Sequence, residues 1–255
     1  MELVRRARRD LPKEDEEEES SPLVWETEQV LDLLAQRLDS RDRKLAQGGV
    51  DLMVAIGAPT FDKLIEILET SETITTRKRG LEALEEIQES PAQKLLPLLD
   101  EDRIWYLQRN AVYVFHRRSE DVGVERCEQL WPTATLQVRV EILRYLLGLG
   151  HRAASAILRQ ALDDRDHTFA LWAARQAIKT GDKDDRLAVI EREQRITAFQ
   201  LGSGFHIDLL STLTRSGATG RAYVAAAAQV RAPILPWRKA RFETEMAELL
   251  EESPQ

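Results

Sequence analysis

The chain has 255 residues, of which 43% are hydrophobic and 31% charged, with a net charge of −8 and a pI near 5.3. That apolar content suffices for a core, and the acidic balance disfavours bulk nucleic-acid binding, which is driven by neutralising phosphates. The single cysteine, Cys127, excludes an internal disulfide and fits a reducing, cytoplasmic setting.

Residues 1–22 carry five Lys/Arg and eight Asp/Glu, with a basic RRARR patch next to the acidic run 14–19. So little apolar content predicts a disordered, charged tail, with no apolar segment of the kind a secretory signal needs. No apolar run reaches the roughly 18 residues of a membrane span. From residue 23 to about 230 the chain reads as helical repeats. Trp25, Val30, Leu31, Leu34 and Leu38 predict an N-terminal capping helix. Ala46, Val50, Met53 and Val54 share one helical face, and Gly57 closes that helix. Pro59 then opens a second helix, with Phe61, Leu64, Ile65 and Leu68 on one side.

The same two-helix pattern returns four times. Leu81, Leu84 and Ile87 precede Pro91 and Leu95–Leu99. Leu107, Ala111, Val114 and Phe115 precede a short helix near 122–131. Ile142, Leu143, Leu146 and Leu147 precede Ala154, Ile157, Leu158 and Ala161. Ala170, Ala174, Ala177 and Ile178 precede Leu187 and Ile190. Gly57, Gly150 and Gly181 fall on a 31-residue period, whereas Gly217 comes 36 residues after Gly181. A fixed two-helix period predicts an all-α chain built as a right-handed α-α superhelix of five to six units. After PILPW (233–237), residues 231–255 end in a C-terminal capping helix through Phe242, Met246, Leu249 and Leu250.

The stretches 107–115, 138–150 and 169–181, and above all DEDRIWYLQRNAVYV at 100–114, resemble short bacterial HEAT repeats of the type also found in phycobilin lyases. The resemblance implies an armadillo-like solenoid that binds a partner on its concave face. It implies little about chemistry. The second and third units lack the closing glycine, and the fifth lacks the usual arginine. Arg77, Arg109 and Arg139, 32 and 30 residues apart, are expected to bond the neighbouring unit, so that Arg109→Ala would lower the melting temperature sharply.

No catalytic set emerges. Phosphate-loop and nucleophile-elbow motifs are absent. His116, His151, His167 and His206 include no His-Glu pair, which excludes the iron site of HEAT-type deoxyhypusine hydroxylases. Neither a cofactor nor a metal is expected, and the chain reads as a protein-binding scaffold rather than an enzyme. One stretch departs from the acidic background: residues 103–159 hold nine Lys/Arg against five Asp/Glu, with aromatics among them. Trp105, Arg109, Arg117, Arg118, Trp131, Arg139, Arg144, Arg152 and Arg159 are therefore the candidate binding residues for a protein or peptide. A DNA-binding or DNA-glycosylase-type module is the first alternative, through the same arginines and a faint likeness of 105–109 to HEAT-like glycosylases. A phycobilin-lyase-like enzyme is the second.

Overall fold

In a computed structural model the described residues, 28–180, 182–231 and 233–251, form fourteen α-helices and no strand. The expected N-terminal tail, Trp25, Gly181 and residues 252–255 lie outside them. The chain is all-α. It divides between Leu149 and Gly150 into two compact units, inside the stretch read as one run of repeats.

The first unit contains α1 (Glu28–Leu38), α2 (Arg43–Ile56), α3 (Phe61–Thr70), α4 (Ile74–Glu86), α5 (Ala92–Leu95, continued by a 3-10 turn Leu96–Leu99), α6 (Trp105–Arg118), α7 (Val124–Leu130) and α8 (Leu136–Leu149). Helix α2 packs on α4, α4 on α6 and α6 on α8. On the other side α1 packs on α3, α3 on α5, and the 3-10 turn on α7. The core between these rows is apolar, through Leu38, Met53, Leu64, Leu84, Leu95, Phe115 and Ile142. The second unit contains α9 (Ala153–Leu162), α10 (His167–Thr180), α11 (Lys183–Gln194), α12 (Gly204–Thr214), α13 (Ala218–Val230) and α14 (Pro236–Glu251). There α9 packs on α11, α10 on α12 and α12 on α14.

The period is sharper in the helix starts than in the glycines. Helices α2, α4, α6, α8 and α10 begin at Arg43, Ile74, Trp105, Leu136 and His167, each 31 residues after the last. The residue before the start repeats a role as well. The Asp42 side chain accepts from the Lys44 amide at 2.8 Å, that of Thr73 from Thr76 at 3.2 Å, and that of Asp166 from Thr168 at 2.9 Å. Each satisfies amides that a helix start leaves unpaired. In α6 the same position is Ile104, which offers no side-chain cap. The glycine missing from the third unit is also replaced in kind. Ser119, 31 residues before Gly150, takes φ 54° and ψ 35°, the left-handed turn that ends α6. An L side chain adopts that region at a cost. Ser119→Gly is therefore expected to stabilise the protein by roughly 0.5–1 kcal/mol, read as a higher melting temperature.

Arginines hold neighbouring repeats together, the expected Arg77 and Arg139 among them but not Arg109. Arg77 donates to the Ser71 carbonyl at 2.5 Å and Arg139 to the Trp131 and Pro132 carbonyls at 3.2 and 3.1 Å, where the preceding unit's last helix ends, and Arg77 also lies 5.4 Å from the centre of the Tyr106 ring of the next unit. The one hydrogen bond of Arg109 is a 3.4 Å approach to Asn110 Oδ1, and Gln108 instead bonds the carbonyl of Asp100 at 2.8 Å. The sharp loss of stability expected for Arg109→Ala thus has no hydrogen bond to a neighbouring unit behind it. Arg79, Arg118, Arg192 and Arg231 also join neighbouring repeats. Arg79 bonds the carbonyls of Leu38 and Ser40, and Arg192 that of Leu162. Arg231 reaches those of Glu193 and Ile196. Arg118 reaches the carbonyls of Leu84, Glu85, Ile87, Gln88 and Glu89, between 2.5 and 3.4 Å. Each guanidinium satisfies carbonyls that the end of an earlier helix leaves without partners.

Candidate functional site

Helix α6 presents a stripe with a four-residue step, Trp105, Arg109, Tyr113 and Arg117, none of which is buried. On a 3.6-residue helix these positions stand one above another. The 31-residue register sets a matching stripe on each neighbour: Ile74, Lys78, Glu82 and Glu86 on α4, and Leu136, Val140 and Arg144 on α8. The top row of this face is apolar and open to solvent, with Ile74 66%, Trp105 43% and Leu136 40% exposed, and Ile104 beside Trp105 at 55%. Below it, Lys78, Leu81, Glu82, Glu85, Arg109 and Tyr113 line a groove of about 380 Å³ between α4 and α6. Arg117 Nε donates to Glu85 at 3.0 Å. Burial first, and then the hydrogen bond to the Glu85 carboxylate, push the Tyr113 phenol above its ordinary pKa, so it serves as a neutral donor.

Of the nine candidate residues, this face brings together Trp105, Arg109 and Arg117 on α6, with Arg144 on α8. Arg144 approaches the buried Glu141 at 3.4 Å, on which His116 also converges at 3.4 Å. Arg118 turns inward to its carbonyls and to Glu120 at 2.6 Å. Trp131 is buried in the turn between α7 and α8, with the Arg139 guanidinium 5.6 Å from its ring centre. Arg152 and Arg159 belong to the second unit. Both are exposed, and Arg159 pairs with Glu191 at 3.2 Å.

The charge excess at 103–159 dissolves once the repeats stack. Arg103 meets Glu69, Arg117 meets Glu85, Arg126 meets Asp100 and Arg159 meets Glu191. Every one of these acids lies outside the stretch. A window along the sequence splits pairs that the 31-residue repeat joins, as it also joins Lys63 to Asp32 at 2.7 Å and Lys94 to Asp62 at 2.5 Å.

The lone thiol is packed away. Cys127 is fully buried on α7, and burial, with the Glu128 charge adding to it, pushes its pKa up to about 12. Only the thiolate is an effective nucleophile. Iodoacetamide at neutral pH is therefore expected to label Cys127 only as the protein unfolds, with labelling in urea following the loss of circular dichroism.

A polar cluster in the second unit escaped the reading of the sequence. Glu193 on α11 is 0% exposed and accepts from His206 Nε2 at 3.0 Å, from Arg231 at 2.9 Å and from the Tyr223 hydroxyl. His206, 1% exposed, takes the Gly202 amide on Nδ1 at 2.9 Å, which puts its proton on Nε2. Its ring stacks on Phe242 with centres 5.5 Å apart. Burial works to raise the Glu193 pKa, but the hydrogen bonds from His206 and Tyr223, together with the Arg231 charge, outweigh it and hold the carboxyl below its ordinary value. The cluster ties α11, α12, α13 and the segment after α13 into one body. One sequence signal pointed to it: LGSGF interrupts the helical pattern where the Gly202 amide is needed, at φ 69°.

Among the described residues, no group of three or more His, Cys, Asp or Glu is placed to hold a metal ion, and no helix is long and apolar enough to cross a membrane. No protein-family model matches the chain, and no curated protein matches it.

Proposed function

We propose that the protein is a non-catalytic scaffold that binds a protein partner on the open face of α4, α6 and α8. The observation that carries this reading is the in-register set of stripes centred on Trp105, Arg109, Tyr113 and Arg117. Repeat proteins gain extended binding surfaces by presenting equivalent positions of successive units side by side, and Trp, Tyr and Arg are the residues that most often dominate binding energy. In this reading the helix pairs within each unit are turns of a right-handed, HEAT-like solenoid, which the 31-residue helix starts and the layered packing support. The lone, inert thiol suits a reducing cytoplasm. With Arg103, Arg117, Arg126 and Arg159 paired to acids outside it, the 103–159 stretch offers less net charge to a phosphate backbone than its own composition suggests, which weakens the motive for the nucleic-acid alternative.

A photo-crosslinking amino acid placed at Tyr113, with Gln93 on α5 as the control, tests the proposal in native lysate. A discrete protein adduct at Tyr113 and none at Gln93 supports it. Adducts of equal pattern at both positions, or none at either, reject it.

A further inference from the structure

We infer that the apolar row at the helix starts takes an amphipathic helix of the partner, laid across α4, α6 and α8; this rests on the scaffold reading above. Ile74, Trp105 and Leu136 occupy the first position of three stacked helices and all three are exposed. Packed helices lie about 8–10 Å apart, so the row offers an apolar contact at that interval. A helix advances about 10.5 Å in seven residues at 1.5 Å each. Apolar residues in a heptad pattern therefore meet successive members of the row in step.

The charges on either side of the row fix the partner's flanks. On the turn side, Glu72, Glu101 and Asp102 are exposed and have no ion-pair partner among the described residues. On the helix side, Lys78 has none either, and Arg109 has only its long approach to Asn110. The occupant carries Lys or Arg along the flank facing the turns and Asp or Glu along the flank facing Lys78 and Arg109. This is the arrangement by which flanking charges orient paired helices. The start of α6 breaks a local rule in the same place. Ile104 stands where its counterparts Asp42, Thr73 and Asp166 cap their helices. An apolar residue there forgoes a cap and enlarges the exposed row, the kind of local violation found at functional positions.

The test is a selection of displayed helical peptides on the full-length chain. Enriched sequences are expected to repeat apolar residues every seven positions with opposite charges on the two flanks. Their affinity should fall at least about tenfold, as loss of an aromatic anchor does, on Trp105→Asp and on Ile74→Asp, with the melting temperature of each variant unchanged. The double variant Lys78→Glu/Arg109→Glu should enrich peptides with Lys in place of Glu on that flank. No enrichment, enriched peptides without the heptad, or equal binding to Trp105→Asp each overturns the inference. If the Tyr113 adduct forms all the same, the scaffold reading stands and only the helical occupant falls.

Discussion

Arg118→Ala is expected to lower the stability of the first unit by about 3 kcal/mol, a fall in melting temperature of roughly 6–12 °C. The side chain is only 11% exposed and its guanidinium serves five carbonyls where α4 ends, with Glu120 held on Nε at 2.6 Å. Removing it leaves those carbonyls short of donors and strands Glu120 beside them, and hydrogen bonds to a charged group are the ones that contribute most. Arg118→Lys separates charge from geometry. Its ammonium is a single point that cannot span carbonyls from Leu84 to Glu89, so it should recover less than half of the loss. Arg109→Ala is the internal control: a residue with one 3.4 Å contact should move the melting temperature by no more than an ordinary surface change. Thermal unfolding of the three variants side by side decides the matter, and equal losses for Arg118→Ala and Arg109→Ala would remove the ladder described above.

Glu193→Leu should destabilise the second unit by at least about 3 kcal/mol, because breaking a buried pair from one side leaves the other charge without compensation. Three donors converge on that carboxylate: the His206 ring, the Tyr223 hydroxyl and the Arg231 guanidinium. Leucine fills much of the space and satisfies none of them. The same site makes stability depend on acid. The folded-state pKa of Glu193 lies below that of an ordinary glutamate, so the folded protein binds this proton less readily than the unfolded chain. Its contribution is complete above the unfolded carboxylate's pKa and is lost as pH falls through the lower folded value. Glu193→Gln, which cannot ionise, should be less stable than the parent at pH 7. The gap between the two should narrow as pH drops below the pKa of an ordinary glutamate. Parallel slopes of stability against pH for parent and variant would show that the carboxyl carries no such linkage.

The helix layout was legible because its signals are local. Apolar residues at helical spacing marked α2, α6, α8 and α10, and Asp42 and Asp166 capped where turn residues would be sought. Glycine spacing gave the period, while the absent glycine of the third unit was hidden because Ser119 adopts the glycine's backbone angles. The division at Leu149–Gly150 left no mark in composition. The candidate site was half legible. Trp105, Arg109 and Arg117 stood out as residue types, but their four-residue stripe gains meaning only beside the stripes of α4 and α8. Arg118, adjacent to Arg117 and chemically identical, turns inward, and a helix step of 100° per residue is all that separates a surface residue from a structural one. Of the Glu193 cluster only the LGSGF break was legible, and the rest was hidden for another reason. Its donors lie 13 to 38 residues from Glu193, and a lone histidine or glutamate on a helix reads as surface.

The positions that open α2, α4, α6, α8 and α10 are held at their spacing by the backbone, not by the residues that occupy them. Arg43 and His167 are polar and Ile74, Trp105 and Leu136 apolar, yet all five are exposed. Folding therefore places little demand on what stands there. On the scaffold reading proposed above, such a column within the first unit would work as an address written one letter per repeat. Its letters could be rewritten singly without disturbing the packing beneath them.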